Sequence, residues 1–303
     1  MRANDDPAEL VELLRAIFGR YRARAAHAKG ILLEGTFKPT HEAAKLCAAS
    51  LFTGAMVHVT VRFSNSTGFP DIADTDPAAN PRGFAAKLRL PDGTASDVVA
   101  HGFNGFPAAT AGEFGAFLRA VAASGPGAAR PTALDGYLAD HPAAKAFLTT
   151  QRPAPMSWAT VTYYGVNAFR FVDAHGRSKA VRYRFVPRAG EHFLDEPTIA
   201  TKRPNYLTDE ITARVDQGPV LFDWFAQLAA PGDALDDPST AWPESRTLVA
   251  LGTFNLVRKA FDQEAEGRAI TFSPGNVPAG IEPADPMIRA RDAAYGVSVR
   301  ERQ

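Results

Sequence analysis

The chain has 303 residues, and its 33 lysines and arginines balance its 33 aspartates and glutamates. With neither a net charge nor a local basic stripe, it has no electrostatic basis for binding nucleic acid or an anionic membrane. Its single cysteine, Cys47, excludes an intramolecular disulfide framework and a cluster of thiolate metal ligands. A small buried side chain is the expected role of Cys47.

Targeting signals are not evident in the sequence. The first ten residues carry Asp5, Asp6 and Glu9, which is wrong for the positively charged start of a signal peptide. No apolar run approaches the roughly 20 residues that a membrane span needs. A cytoplasmic location without a membrane partner is therefore expected.

Hydrophobic periodicity divides the chain into helical and strand-rich segments. In chain order the patterns predict a helix over 7–28, strands over 30–100, helices over 111–150, strands over 157–187, a helix over 207–230, a strand over 247–257, a loop rich in proline and glycine over 273–286, and a final helix that carries Arg291 and Tyr295. Within 157–187, two alternating runs flank the turn 173–176, which predicts a hairpin. Two batches of strands separated by helices are typical of an α+β fold with an antiparallel sheet or barrel.

The predicted strand 56–64 has two distinct faces. Period two places valines and Phe63 on one face, and His58, Thr60, Arg62 and Ser64 on the other. The polar face could point into water, or it could line a cofactor cavity inside a barrel. Periodicity alone favours water.

Several short segments together resemble the catalase family. Segment 24–30 reads Arg-Ala-Ala-His-Ala-Lys-Gly, and 291–295 reads Arg-Asp-Ala-Ala-Tyr. Further matching segments, in the order of the family, are 61–64, 81–88, 97–99, 104–107, 164–172, 242–243 and 272–295. The chain is much shorter than large catalases, so it is similar to the minimal catalases, or catalase-related peroxidases.

The resemblance implies an antiparallel eight-stranded β-barrel with flanking helices. It implies a single haem-binding domain over 1–303, in which 1–20 form an N-terminal helical extension. The expected cofactor is haem b, held without covalent attachment because no Cys-x-x-Cys-His motif is present. The missing segments imply that NADPH is not bound and that the interlocked tetramer does not form; a homodimer is a candidate assembly.

The resemblance assigns Tyr295 as the proximal ligand of the haem iron. A phenol is protonated at neutral pH and binds iron well only when its anion is favoured. Arg291 lies four residues earlier, on the same helical face, where its charge would favour the anion. Without the flanking resemblance, an ordinary Arg–Tyr pair on a surface helix would be the better interpretation.

On the opposite, distal side of the haem, the resemblance assigns His27 as the acid–base that moves the proton of a bound peroxide. Ser64 matches the residue that hydrogen-bonds this imidazole and fixes its tautomer. Asn104 matches the amide that holds the peroxide, although the spacing from Asp97 is about two residues longer than in large catalases. His101 is therefore a competing candidate, and its alternative role is that of a structural loop histidine.

Arginines match the partners of the haem propionates. Arg24 and Arg62 are assigned to this role, and Arg302 has roughly the right distance beyond Tyr295 for a third contact. Either Phe114 or Phe117 could stack near the haem rim, although both have the spacing of core residues. The small Ala26 would leave room above the iron.

The expected function is a haem-dependent peroxidase that reduces hydrogen peroxide and organic hydroperoxides with a small organic reductant, and that has weak catalase activity. The peroxidase outcome is favoured because a shorter chain should bury the haem less. Two alternatives remain open at this point. One is a fatty-acid hydroperoxide isomerase resembling allene oxide synthase, and the other is a non-enzymatic haem-binding barrel.

Overall fold

The computed structural model describes residues 6–302. Helices are α1 (Pro7–Phe18), α2 (His41–Leu46), α3 (Ala111–Ala122), α4 (Ala133–Asp140), α5 (Pro142–Thr149), α6 (Glu196–Thr201), α7 (Tyr206–Gln217), α8 (Gln263–Ala269) and α9 (Met287–Arg302). Strands are β1 (Gly30–Pro39), β2 (Val57–Ser64), β3 (Gly83–Arg89), β4 (Ala95–His101), β5 (Tyr163–Val172), β6 (Ser178–Pro187), β7 (Val220–Leu228), β8 (Leu248–Lys259) and β9 (Ile281–Pro283). Part of the predicted N-terminal extension, residues 1–5, lies outside the described residues.

Strands β1 to β8 form a closed antiparallel barrel. Neighbouring strands follow the order β4-β3-β2-β1-β8-β7-β6-β5, and the pairing of His101 with Tyr164 joins β4 to β5. The short β9 adds outside this ring, against β5. The predicted hairpin joins β5 to β6, with Phe171 opposite Lys179. The expected α+β architecture with an eight-stranded barrel is confirmed.

Aromatic side chains fill the interior of the barrel. Alternate residues of all eight strands point inward and pack into one hydrophobic cluster. The ring centroids of Phe84 and Phe185 lie 4.6 Å apart, and those of Phe37 and Phe254 lie 4.9 Å apart. Because large side chains pack this interior, it does not offer the space that a planar cofactor would need.

The two faces of β2 follow from this packing. The inward face carries the valines and Phe63, which belong to the interior cluster. Arg62 and Ser64 point to the outside, yet they are only 6% and 4% exposed. The predicted alternation is confirmed, but the polar face points neither into water nor into the barrel. It is covered from outside by other parts of the chain.

Two predicted helices are wrong in their extent. Helix α1 ends at Phe18 rather than at residue 28, because Gly19 takes a φ of 89° and its N–H bonds to the carbonyl of Arg15. The predicted helix 207–230 is α7 followed by strand β7, and Gly218 and Pro219 separate the two. In β7, buried and partly exposed residues alternate, which is the period of a strand.

Helices α1, α3 and α9 pack together outside the barrel, next to the outward face of β2. Leu10 of α1 and Phe117 and Leu118 of α3 form a second hydrophobic cluster with Ala144 of α5.

Among residues 6–302, a helix with the length and apolarity of a membrane span is not found.

Candidate active site

A cavity lies between the outer wall of the barrel and helix α9. On the wall, two cross-strand rows run over β2, β3 and β4, and both line the cavity: Ser64–Gly83–His101 and Arg62–Ala85–Val99. Directly paired residues point to the same side of a sheet. In both rows the residue of the middle strand is small, so the cavity has depth at its centre.

Helix α9 forms the facing wall through a single stripe. The lining residues recur every three or four positions: Met287, Ala290, Arg291, Ala294, Tyr295, Ser298, Val299 and Arg302. Leu10, Val11 and Leu14 of α1 line another side. Of the two phenylalanines considered for the haem rim, Phe114 lines the cavity, whereas Phe117 packs in the cluster between α1 and α3.

His27 is held rigidly at the cavity wall. Its ring Nδ1 lies 3.0 Å from Ser64 Oγ, which leaves Nε2 as the nitrogen available to the cavity. Its φ of 56° is the only left-handed value among the non-glycine residues that the structure describes, a conformation that is found mainly where function requires it. Two backbone hydrogen bonds of 2.9 Å secure the turn, from His27 to Ser66 and from Ala28 to Thr67.

Burial determines the protonation of this imidazole. Desolvation, and after it the positive charge of Arg62, lowers the pKa of His27 to about 3. The ring is therefore neutral at neutral pH, and Nε2 can accept a proton.

Tyr295 is anchored by a chain of polar contacts. Arg291 Nη2 donates to Tyr295 Oη at 2.8 Å. The other guanidinium nitrogen donates to the amide oxygen of Asn167, whose own nitrogen donates to Asp285 Oδ2 at 2.7 Å. Asn167 is 3% exposed and Asp285 is 1% exposed, so the guanidinium has one position beside the phenol.

Three arginines converge at one end of the cavity. Arg24 donates to the carbonyls of Gly267 and Ile270 at 2.8 Å, and Arg302 donates to Ile270 at 2.7 Å. Arg62 donates to the carbonyl of Ala28 at 2.9 Å. These carbonyls hold the guanidinium groups in place but do not neutralise them.

Among residues 6–302, the members of this arginine cluster form no ion pair with a carboxylate; the cluster comprises Arg24, Arg62 and Arg302. Burial, and then the neighbouring Arg62 and Arg302, lower the pKa of Arg24 to about 7, and burial together with Arg302 lowers the pKa of Arg62 to about 10. Carboxylates do not contribute to these shifts within residues 6–302. A ligand with acidic groups would complete this end of the cavity.

The structure does not bring Asn104 to the cavity. Its amide nitrogen lies 3.4 Å from Glu244 Oε1, in the loop that follows β4. His101, at the last position of β4, lines the cavity instead. The other residues named for the site line the cavity: Arg24, Ala26, His27, Arg62, Ser64, Arg291, Tyr295 and Arg302.

Sequence reasoning missed several contributors to the site, of which four illustrate why. Gly83 and Asn167 act on named site residues, and both lie within segments that resemble the family, so those segments offered a signal. Leu10 and Leu14 also line the cavity, but their helical spacing predicts only packing. Their contact with the cavity depends on how α1 folds back onto α9.

Comparison with known proteins agrees with this geometry. The protein-family model described as Catalase matches residues 10–303. A catalase-related peroxidase of Mycolicibacterium paratuberculosis is 38% identical over 301 residues, covering 98% of this chain and 94% of that protein. A catalase-related peroxidase of Synechococcus elongatus is 30% identical over 302 residues, covering 98% and 88%. A solved fungal catalase shares the fold with a TM-score of 0.82 at 21% identity, covering 93% of this chain and 60% of that one.

Proposed function

This chain belongs to the catalase family, and from that premise we propose that it is a haem-dependent peroxidase that reduces hydrogen peroxide and organic hydroperoxides, with weak catalase activity. Relatives that match nearly the whole chain are named catalase-related peroxidases, and an enzyme that acts on peroxide follows. The observation that carries the proposal is the pairing of His27 with Tyr295 across one cavity.

The family implies a haem group, and the residues present fit it. Tyr295 with Arg291 supplies an anchored phenol for the iron, and catalase is itself the standard example of a tyrosine-ligated haem. The arginine cluster provides cations for the propionates. We propose haem b, because the sequence has no Cys-x-x-Cys-His attachment motif. The whole chain would act as one haem-binding domain, since cavity residues extend from Leu10 to Arg302.

The bound haem would supply the redox chemistry that breaks the O–O bond. The protein would supply the proton transfer: His27 Nε2 takes the proton from one peroxide oxygen and returns it to the other, which leaves as water or an alcohol. Ser64 keeps the ring oriented, because it occupies Nδ1. With a reductant the balance is one hydroperoxide and two hydrogen atoms from the donor, giving one alcohol and one water.

Access to the cavity supports peroxidase over catalase turnover. Arg302 lines the cavity and also a surface depression beside α8, together with Arg22 and Arg268. A small organic reductant can therefore approach the propionate end from solvent. The names of the relatives give no support to a hydroperoxide isomerase or to a non-enzymatic haem-binding barrel. A protein that only stores haem would also not need His27 as an acid–base.

One preparation tests the proposal. Oxygen release from hydrogen peroxide and dye oxidation with an organic hydroperoxide are measured and normalised to bound haem; dye oxidation should exceed oxygen release. His27→Ala should keep its haem and react with peroxide about 10²–10⁴ times more slowly, whereas the exposed His175→Ala should match the wild type. Efficient oxygen release without turnover of dye or organic hydroperoxide would contradict the peroxidase assignment.

A further inference from the structure

His101 lies beside the distal histidine in a row of three strands. Gly83 pairs with Ser64 of β2 on one side and with His101 of β4 on the other. A side chain at Gly83 would occupy the position of the His27 ring, because its Cβ would lie 2.7 Å from Nδ1. The ring of His27 therefore fills a notch between Ser64 and His101, and two imidazoles line the same wall.

Neither ring nitrogen of His101 has a hydrogen-bond partner of normal geometry. The residue is 8% exposed, and the backbone of Phe103, in the loop after β4, is the one polar group that raises its pKa against the effect of burial. Among residues 6–302, several buried polar side-chain atoms have no partner, and His101 is the one such residue that lines the cavity. Buried polar groups are normally satisfied, so an orphaned imidazole facing a cavity points to a ligand there.

The surroundings of His101 keep the ring neutral. Phe106 and Phe147 lie against it, each with a centroid distance of 6.4 Å. Burial, and then the charge of Arg291, lowers the pKa of His101 to about 3. A neutral imidazole has one N–H donor and one acceptor nitrogen, and the donor can serve the role that the resemblance gives to an amide.

We propose that His101, and not Asn104, is the second distal group of this site, and that one of its ring nitrogens donates a hydrogen bond to the peroxide beside His27. The role of His101 rests on the proposed function. It gives an imidazole the part that the resemblance assigns to an amide in large catalases. Asn104, in the loop after β4, is directed toward Glu244 and does not line the cavity.

Fluoride binding to the ferric holoenzyme tests this assignment without turnover. Fluoride binds iron and accepts hydrogen bonds from distal donors, and absorption titration gives its affinity. His101→Leu should weaken fluoride binding at least tenfold, the loss of one hydrogen bond to a charged acceptor. His101→Gln keeps an N–H donor and should stay close to the wild type. Asn104→Ala is the matched control and should equal the wild type.

The possible outcomes separate the two proposals. A wild-type protein that takes up no haem, or whose haem does not react with peroxide, would overturn the proposed function. A reactive wild type with unchanged fluoride affinity in His101→Leu would overturn only the role of His101. If His101→Leu takes up no haem, the decision passes to Asn104→Ala and His101→Gln. A tenfold loss of fluoride affinity in Asn104→Ala would then overturn the assignment, and a loss in His101→Gln with Asn104→Ala equal to the wild type would support it.

Discussion

Replacing Gly83 by alanine should displace the distal imidazole without unfolding the barrel. The added Cβ would lie 2.4 Å from Ser64 Oγ and 2.7 Å from His27 Nδ1. Ordinary contacts between such atoms begin near 3.5 Å, so one of the two groups has to move by roughly 1 Å. Gly83 lies within strand β3, where alanine is tolerated by the backbone, and both close contacts are side-chain atoms.

This displacement of His27 should lower the rate of the reaction with peroxide, which can be measured. A catalytic group misplaced by about 1 Å costs about 10²-fold, and overpacking of this kind costs about 1–3 kcal/mol of stability. We therefore expect Gly83→Ala to retain haem, because Tyr295, the proposed iron ligand, lies on the facing wall, and to react with peroxide about 10² times more slowly. Stopped-flow absorption after mixing with peroxide measures the rate, and haem per chain measures occupancy.

A matched control separates the clash from the mere addition of a methyl group. In Gly136→Ala the new Cβ would meet no atom within 4 Å, so its rate should equal that of the wild type. A Gly83→Ala variant that reacts at the wild-type rate would show that the ring of His27 does not need its present position, and the distal assignment would then be wrong.

Three further predictions concern the proximal ligand, the cover of the cavity and acid stability. Tyr295→Phe should lose most of its haem or alter its absorption spectrum, while the exposed Tyr21→Phe should not; an unchanged spectrum at full occupancy would refute the ligand. Leu14→Ala should raise the rate with cumene hydroperoxide relative to hydrogen peroxide about tenfold, by removing bulk from the cavity wall, whereas Leu13→Ala, which packs against α3, should leave the ratio unchanged. Burial lowers the pKa of His101 in the folded protein to about 3, against about 6.5 when unfolded, so its contribution to folding stability is intact above pH 6.5 and is lost as the pH falls toward 3. Urea unfolding of the haem-free protein at pH 7 and pH 5 should therefore show that His101→Leu loses about 2 kcal/mol less stability between these pH values than the wild type does. If the wild type and His101→Leu lose the same stability, the buried ring of His101 is not neutral.

The barrel was accessible to sequence reasoning because its strands alternate. The segment 56–64 and the hairpin around 173–176 carry a clear period of two, and the structure confirms both. Strand β7 was missed because its apolar residues can be placed on the same helical spacing as those of α7, so that only Gly218 and Pro219 mark the change. Helix α1 was overextended because its apolar stripe continues to Phe18, and the turn at Gly19 depends on backbone conformation.

The sequence allowed us to predict the site residues that lie in short motifs. It did not allow us to predict those whose position depends on the register of strand pairing. His27, Ser64 and Tyr295 lie within segments that resemble the family, and all three line the cavity. The choice between His101 and Asn104 depends on which residue ends β4 opposite Gly83. Spacing along the chain cannot decide this, because the side chains that share a wall are set by strand pairing.

The electrostatics of the cavity divide it into two functional ends. Among the described residues the arginine cluster forms no ion pair with an acid, and the acids Asp262 and Glu264 line the surface depression beside Arg302. Burying these cations together costs folding free energy, which an anionic group would offset. The distal wall carries two imidazoles that burial keeps neutral, which is the state that can accept a proton from peroxide. A dianionic haem would neutralise the first end and leave the second unchanged. Its binding should therefore stabilise the whole fold through linkage, while the proposed proton transfer stays with His27 and the proposed hydrogen bond to peroxide with His101.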